Sequence, residues 1–119
     1  MNTPGAAPET LDDRTARIRA LNDQLRTTLS GGQILLTPGI RALGEDGVVA
    51  VLLAVKNFDD FNSANDPYGE RDFGSFEYQG QVIFWKVDAY DKDLAYGSPD
   101  PTDPAVTTRV LTVLLASEY

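Results

Sequence analysis

Residues 72–90 read DFGSFEYQGQVIFWKVDAY. In the second half Ile83, Trp85 and Val87 alternate with Phe84, Lys86 and Asp88, the period of a strand with one face turned to a core. The first half carries Phe73, Phe76 and Tyr78, and Gln79-Gly80 between the halves suits a tight hairpin turn. Two antiparallel strands are therefore expected, at the centre of a small sheet. Trp85 reads as a core residue rather than a ligand platform.

On the N-terminal side, Pro4, Gly5 and Pro8 mark residues 1–9 as a flexible leader, and residues 10–119 read as a single domain. Thr10 suits a helix N-cap, with Asp12 and Asp13 in the first turn. Leu11, Ile18, Leu21, Leu25 and Leu29 then keep helical spacing, which predicts a helix over 11–29. Arg14, Arg17, Arg19 and Arg26 read as its solvated face, and Gly31-Gly32 as its left-handed stop. Ile34 to Thr37 predicts a short strand closed by a Pro38-Gly39 turn. The run Val48 to Val55 is β-branched enough for a buried strand. Val48, Leu52, Val55 and Phe58 keep helical spacing, however, and a helix over 45–60 is preferred.

Asn62 to Gly69 and Asp91 to Asp103 have loop composition. Asp103-Pro104 matches an N-cap followed by proline at the first helical position. Val106, Val110, Leu111, Leu114 and Leu115 continue helically, while Thr107, Thr108, Thr112 and Val113 argue for a strand. A helix over 104–118 is preferred. The expected fold is α+β: a small antiparallel sheet centred on the 72–90 hairpin, with helices near 11–29, 45–60 and 104–118 packed on one face. Its core would draw on Phe73, Phe76, Ile83, Trp85 and Val87, with Ile18, Leu21 and Leu25 from the first helix.

The 119 residues include no cysteine and no histidine. Thiol nucleophiles, disulfides, thiolate zinc sites and Ser-His-Asp arrangements are thereby excluded. The longest uninterrupted apolar run, Val48 to Val55, has eight residues, too few for a membrane helix. Residues 1–8 lack the basic-then-apolar order of a secretory signal, so a cytoplasmic protein with no membrane partner is expected.

The net charge of -8 is unevenly placed. Residues 1–56 balance, and so do residues 104–119. Residues 57–103 hold eleven acids against three bases, Arg71, Lys86 and Lys92. Acidic loops keep a small domain soluble, and Asp and Asn suit turns for local reasons. A functional reading is also open. Duplex DNA carries about one negative charge per 1.7 Å of axis, and a protein with a row of carboxylates can occupy the same basic groove. Such an acidic chain is not expected to bind nucleic acid directly. The same carboxylates are hard oxygen ligands suited to Mg²⁺, Mn²⁺ or Ca²⁺, although EF-hand spacing is absent.

Four blocks are familiar: 65–74 (NDPYGERDFG), 84–91 (FWKVDAYD), 97–104 (GSPDPTDP) and 109–119 (RVLTVLLASEY). Together they resemble a bacterial domain-of-unknown-function family numbered 3768, over about residues 15–119. The resemblance implies carriage on plasmids and other mobile elements and assigns no activity. Relatives often have His where this chain has Tyr68 or Arg71, which weakens a catalytic or metal role for that block. Mobile elements commonly carry small acidic proteins that disable host restriction or CRISPR machinery.

These readings converge on a non-enzymatic binding protein, an anti-CRISPR or anti-restriction inhibitor acting as a nucleic-acid mimic. Asp66, Glu70, Asp72, Asp88, Asp91 and Asp93 would meet the basic surface of a nucleic-acid-binding host protein or complex. No catalytic residue, metal ligand or cofactor is expected, and the chain would be a monomer or homodimer. The alternative is a divalent-metal-dependent hydrolase using the 66–93 carboxylate cluster.

Overall fold

Thr10 opens the first helix as its spacing predicts. Its hydroxyl accepts the Asp13 N–H at 3.0 Å, and the Asp13 carboxylate accepts the Thr10 N–H in return. The structure, a computed structural model, describes residues 10–119; the leader expected over 1–9 lies outside the described residues. Helix α1 spans Leu11–Thr28. It ends on Leu29 in the left-handed region (φ 59°), ahead of the glycine pair, with the Leu29 N–H bonded to the Leu25 carbonyl.

Strand β1 (Gln33–Leu36) follows, then a single helical turn, α2 (Pro38–Arg41). The Pro38-Gly39 pair thus starts a short helix after Thr37 instead of making a turn, because proline's fixed φ suits a first helical position. Helix α3 (Gly44–Lys56) resolves the ambiguous segment as helix and stops four residues before the expected 60. Strands β2 (Phe73–Tyr78) and β3 (Gln81–Tyr90) form the expected hairpin. Gln79 and Gly80 both have positive φ (50° and 79°), the backbone of a type I′ turn that matches strand twist.

The helix expected over 104–118 is not there. Asp103 does cap a turn, its carboxylate accepting the Ala105 N–H at 2.9 Å, but that turn is a 3-10 helix of three residues, Pro104–Val106. Strand β4 (Thr108–Leu115) and a second 3-10 turn (Ala116–Glu118) fill the rest. The reason lies in position. β4 is an inner strand of a four-stranded sheet ordered β1-β4-β3-β2, parallel to β1 and antiparallel to β3. Flanked on both edges, its residues Leu111 to Leu114 are buried whichever way they point, so apolar residues take both alternations and the run imitates a helix stripe. The sheet is mostly antiparallel with one parallel pair, and the fold class is α+β.

All three helices lie on one face. Leu25, Ile40, Val51 and Val55 meet Ile83, Trp85, Val87, Leu111 and Val113, the last five all on the same side by register. Trp85 is fully buried, with Phe58 and Phe61 edge-on at 5.5 and 6.1 Å. Phe76 packs against this core from β2. Phe73, expected in the core, instead faces away with Phe84, because it pairs with Lys86 and so takes the opposite side from Trp85. Of the α1 stripe only Leu25 is fully buried, and Leu11 is exposed.

Trp85 fits because Gly74 lies opposite it on β2. A Cβ at Gly74 would sit 2.2 Å from Trp85 Nε1. Gly74→Ala is therefore expected to destabilise the domain by roughly 1–3 kcal/mol, the usual penalty for overpacking. Gly97→Ala, whose methyl would meet nothing within 4 Å, should leave thermal unfolding unchanged. Equal melting temperatures for the two variants would refute this account of the core.

Candidate functional site

Three of the acids singled out in the sequence line one cleft of about 200 Å³, bounded by Ile18, Asn22, Glu70, Asp72, Val87, Asp88, Pro101 and Arg109. Its position follows from topology. β2 begins, β3 ends and β4 begins at the same end of the sheet, and α1 crosses above that end. The Val87 N–H donates to the Asp72 carbonyl at 2.9 Å, which extends the β2–β3 ladder by one position and sets Asp72 opposite Val87 on the helix-covered side. Asn22 holds Glu70 in place, its Nδ2 donating to the Glu70 carbonyl oxygen at 3.0 Å.

The cations of this region are already engaged. Arg109, buried on the core side of β4, donates from Nε to Asn22 Oδ1 at 2.8 Å and from Nη2 to the Pro101 carbonyl. Arg71 pairs with Asp23 at 3.0 Å. Lys86 pairs with Asp88 at 2.6 Å. Glu70 and Asp72 are left without an ion-pair partner among the described residues. Burial pushes the Glu70 carboxyl above its ordinary range, and repulsion from Asp72 and Asp66 adds to this against a lesser pull from Arg109. The Asp72 carboxyl is also raised, first by burial and then by Asp66 and Asp88, its own backbone amide opposing.

The six expected contact residues thus divide. Asp66, Glu70 and Asp72 act on one another, and Asp66 also accepts the Arg71 N–H at 3.0 Å. Asp88 borders the cleft, but strand alternation turns its carboxylate to the bare face of the sheet with Lys86. Asp91 closes a turn in the β3–β4 connection, accepting the Ala95 N–H at 3.0 Å. Asp93 stands exposed in that connection, and neither Asp91 nor Asp93 lines the cleft. Among the described residues no group of three or more carboxylates converges as metal ligands would.

Arg26 and Arg109 were missed as site-builders. Arg26 was expected on the solvated face, yet it is buried, donating to the carbonyls of Val55 (3.0 Å) and Phe58 (2.8 Å) and to Asp23 (3.0 Å). Its guanidinium also lies 5.3 Å from the Phe61 ring centre and 5.2 Å from that of Trp85. The spacing Asn22-Leu25-Arg26 was the available signal, since it puts both polar residues beside the one fully buried leucine of α1. For Arg109 the signal was its alternation with Leu111 and Val113.

The described helices include none long and apolar enough to cross a membrane. The model of the family described as protein of unknown function (DUF3768) matches residues 36–118. That span takes in the four blocks quoted from the sequence up to Glu118, together with Glu70, Asp72, Asp88 and Arg109, and begins after α1. No curated protein and no solved structure matches the chain.

The raised carboxyls give stability a definite pH dependence. A carboxyl raised in the folded state makes that state bind more protons, so stability rises as pH falls through the folded pKa values of Glu70 and Asp72. Asp100 is held low by Thr102 hydroxyl and amide hydrogen bonds and by Arg14, and Glu118 by the Thr37 hydroxyl and the amides of Leu115 and Gly39. Their contributions are complete above the unfolded values and disappear as pH falls through the lowered ones. Thermal unfolding should therefore peak at mildly acidic pH, and Asp72→Asn should raise the neutral-pH melting temperature and flatten that limb. A steady decline from neutral to acid, unaltered in Asp72→Asn, would contradict the description of the cleft.

Proposed function

The chain belongs to the family of proteins of unknown function (DUF3768), and from that premise we propose that it is a non-enzymatic inhibitor that occupies the basic, nucleic-acid-binding surface of a partner. One observation carries the reading. Glu70 and Asp72 are held side by side, partly buried and unneutralised, although arginines lie close enough to have been used. A fold that keeps like charges together loses stability by doing so. A partner's Arg or Lys entering the cleft would remove both the repulsion and the unpaired burial.

The wider charge distribution supports the same reading. The whole surplus of acids lies in residues 57–103, which include both sides of the cleft's acidic wall. Long-range attraction of this kind speeds encounter with a basic groove and is screened by salt. Restriction and CRISPR machinery present such grooves, and a cytoplasmic inhibitor carried on a mobile element would meet them there. The metal-dependent hydrolase has less support, since the carboxylates border one cleft without converging.

The test uses the tagged protein to capture host proteins at low and at high salt, with duplex DNA as competitor. Basic nucleic-acid-binding proteins should be retained at low salt and released both by salt and by DNA. Glu70→Gln with Asp72→Asn should lower that affinity roughly tenfold or more per lost charge-assisted contact, about 1.4 kcal/mol, while leaving the fold intact. Equal capture by the wild type and this variant, or capture indifferent to DNA, would overturn the proposal.

A further inference from the structure

We propose that the bare face of the sheet is the docking surface for a second copy of this chain. The inference is independent of the acidic cleft and uses residues on the opposite side of the sheet. With α1, α2 and α3 all on one face, a solvated outer face would alternate to polar residues. The register shows something else. Leu35, Leu114, Phe84 and Phe73 bring one apolar side chain from each of the four strands into a band across the sheet. The Phe73 and Phe84 rings lie 5.1 Å apart, and Tyr119 adds an edge-on contact to Phe84 at 5.7 Å. Leu114 in the middle of the band is buried, while Leu35 is 52% exposed and Tyr119 79% exposed, so the band ends in exposed apolar surface.

Charge selects the occupant. Beside the band, Lys86 and Asp88 form a pair that is two residues long on one strand and internally neutral. With Glu77 the face carries one net negative charge against -8 for the chain, so two copies can approach here with little repulsion. A strongly basic partner, by contrast, is drawn to residues elsewhere on the molecule. The pair is also self-complementary. A two-fold axis through the face lays β3 antiparallel over its copy, and each Lys86 then faces the other copy's Asp88. Burying ions that are already paired carries a smaller desolvation penalty than burying single charges.

The size of the face sets the expected strength. Four strands about 4.8 Å apart and mostly six to ten residues long present about 500 Å² per copy, or about 1,000 Å² in all, the low end for a specific interface. A reversible dimer in the micromolar range follows, not an obligate one.

Sedimentation velocity on the full chain, from about micromolar to about millimolar, reads the outcome directly. The wild type should pass from monomer to dimer across that range. Leu35→Lys changes a half-exposed side chain, so it should keep its melting temperature and remain monomeric. Lys86→Asp and Asp88→Lys should each be monomeric alone and should form a mixed dimer when combined, since the opposing charges then match. A wild type that stays monomeric at the highest concentration overturns the proposal. So does a dimer that persists in Leu35→Lys, which would place the contact elsewhere, for example along the free edge of β2. Failure of the two charge variants to reassociate would refute the two-fold pairing.

Discussion

The buried guanidinium of Arg26 is the constraint on which the acidic half of the molecule depends. It sits against the C-terminal end of α3, where its Nη1 donates to the carbonyl of Val55 and, just past the helix, to that of Phe58. Its other amino group meets Asp23 one turn back on α1. Phe61 is then enclosed between two cations, with Arg26 at 5.3 Å and Arg71 at 5.1 Å from its ring centre. Arg71 closes the circuit by pairing with the same Asp23. A loop of polar composition is thus fastened at both Phe61 and Arg71, and the residues next to Arg71 are Glu70 and Asp72.

That fastening explains why the carboxylates stay unpaired. Each nearby arginine is committed elsewhere: Arg26 to carbonyls at the end of α3, Arg109 to the Asn22 side chain and the Pro101 carbonyl, Arg71 to the Asp23 carboxylate. Lys86 takes Asp88 on the other side of the sheet, and Arg14 takes Asp100, so neither reaches Glu70 or Asp72. Local consistency breaks down at Glu70 and Asp72, and departures of this kind are expected where a surface serves something other than folding. The same sheet therefore separates two surfaces. Its helix-covered side ends in an unneutralised cleft, and its other side carries a half-apolar band beside the Lys86–Asp88 pair.

Much of this was legible in the sequence. Period-2 alternation gave Ile83, Trp85 and Val87 to one face of a hairpin, and the turn chemistry of Gln79-Gly80 located its bend. The capping pattern at Thr10 located α1 to within a residue. What escaped was information that exists only after assembly. Residues 104–118 look helical because β4 is flanked on both edges and buried on both alternations, and no local pattern announces which strand will be inner. Phe73 looked like core because one-residue register decides a side chain's face, and that register is set by pairing with Lys86. The clustering of Asp66, Glu70 and Asp72 followed from their closeness in sequence. The separation of Asp88 from them by strand alternation could have been read from the same pattern that fixed Trp85.

The central claim is that Glu70 and Asp72 form an uncompensated acidic cleft made to receive a cation. Side-chain carboxyl resonances followed by NMR through an acid titration address it directly, with the free protein and again with an arginine-rich peptide present. The account predicts that both carboxyls titrate above the ordinary range in the free protein and that both move downward when the peptide binds. Two carboxyls that titrate normally, or that ignore the peptide while others respond, would contradict it.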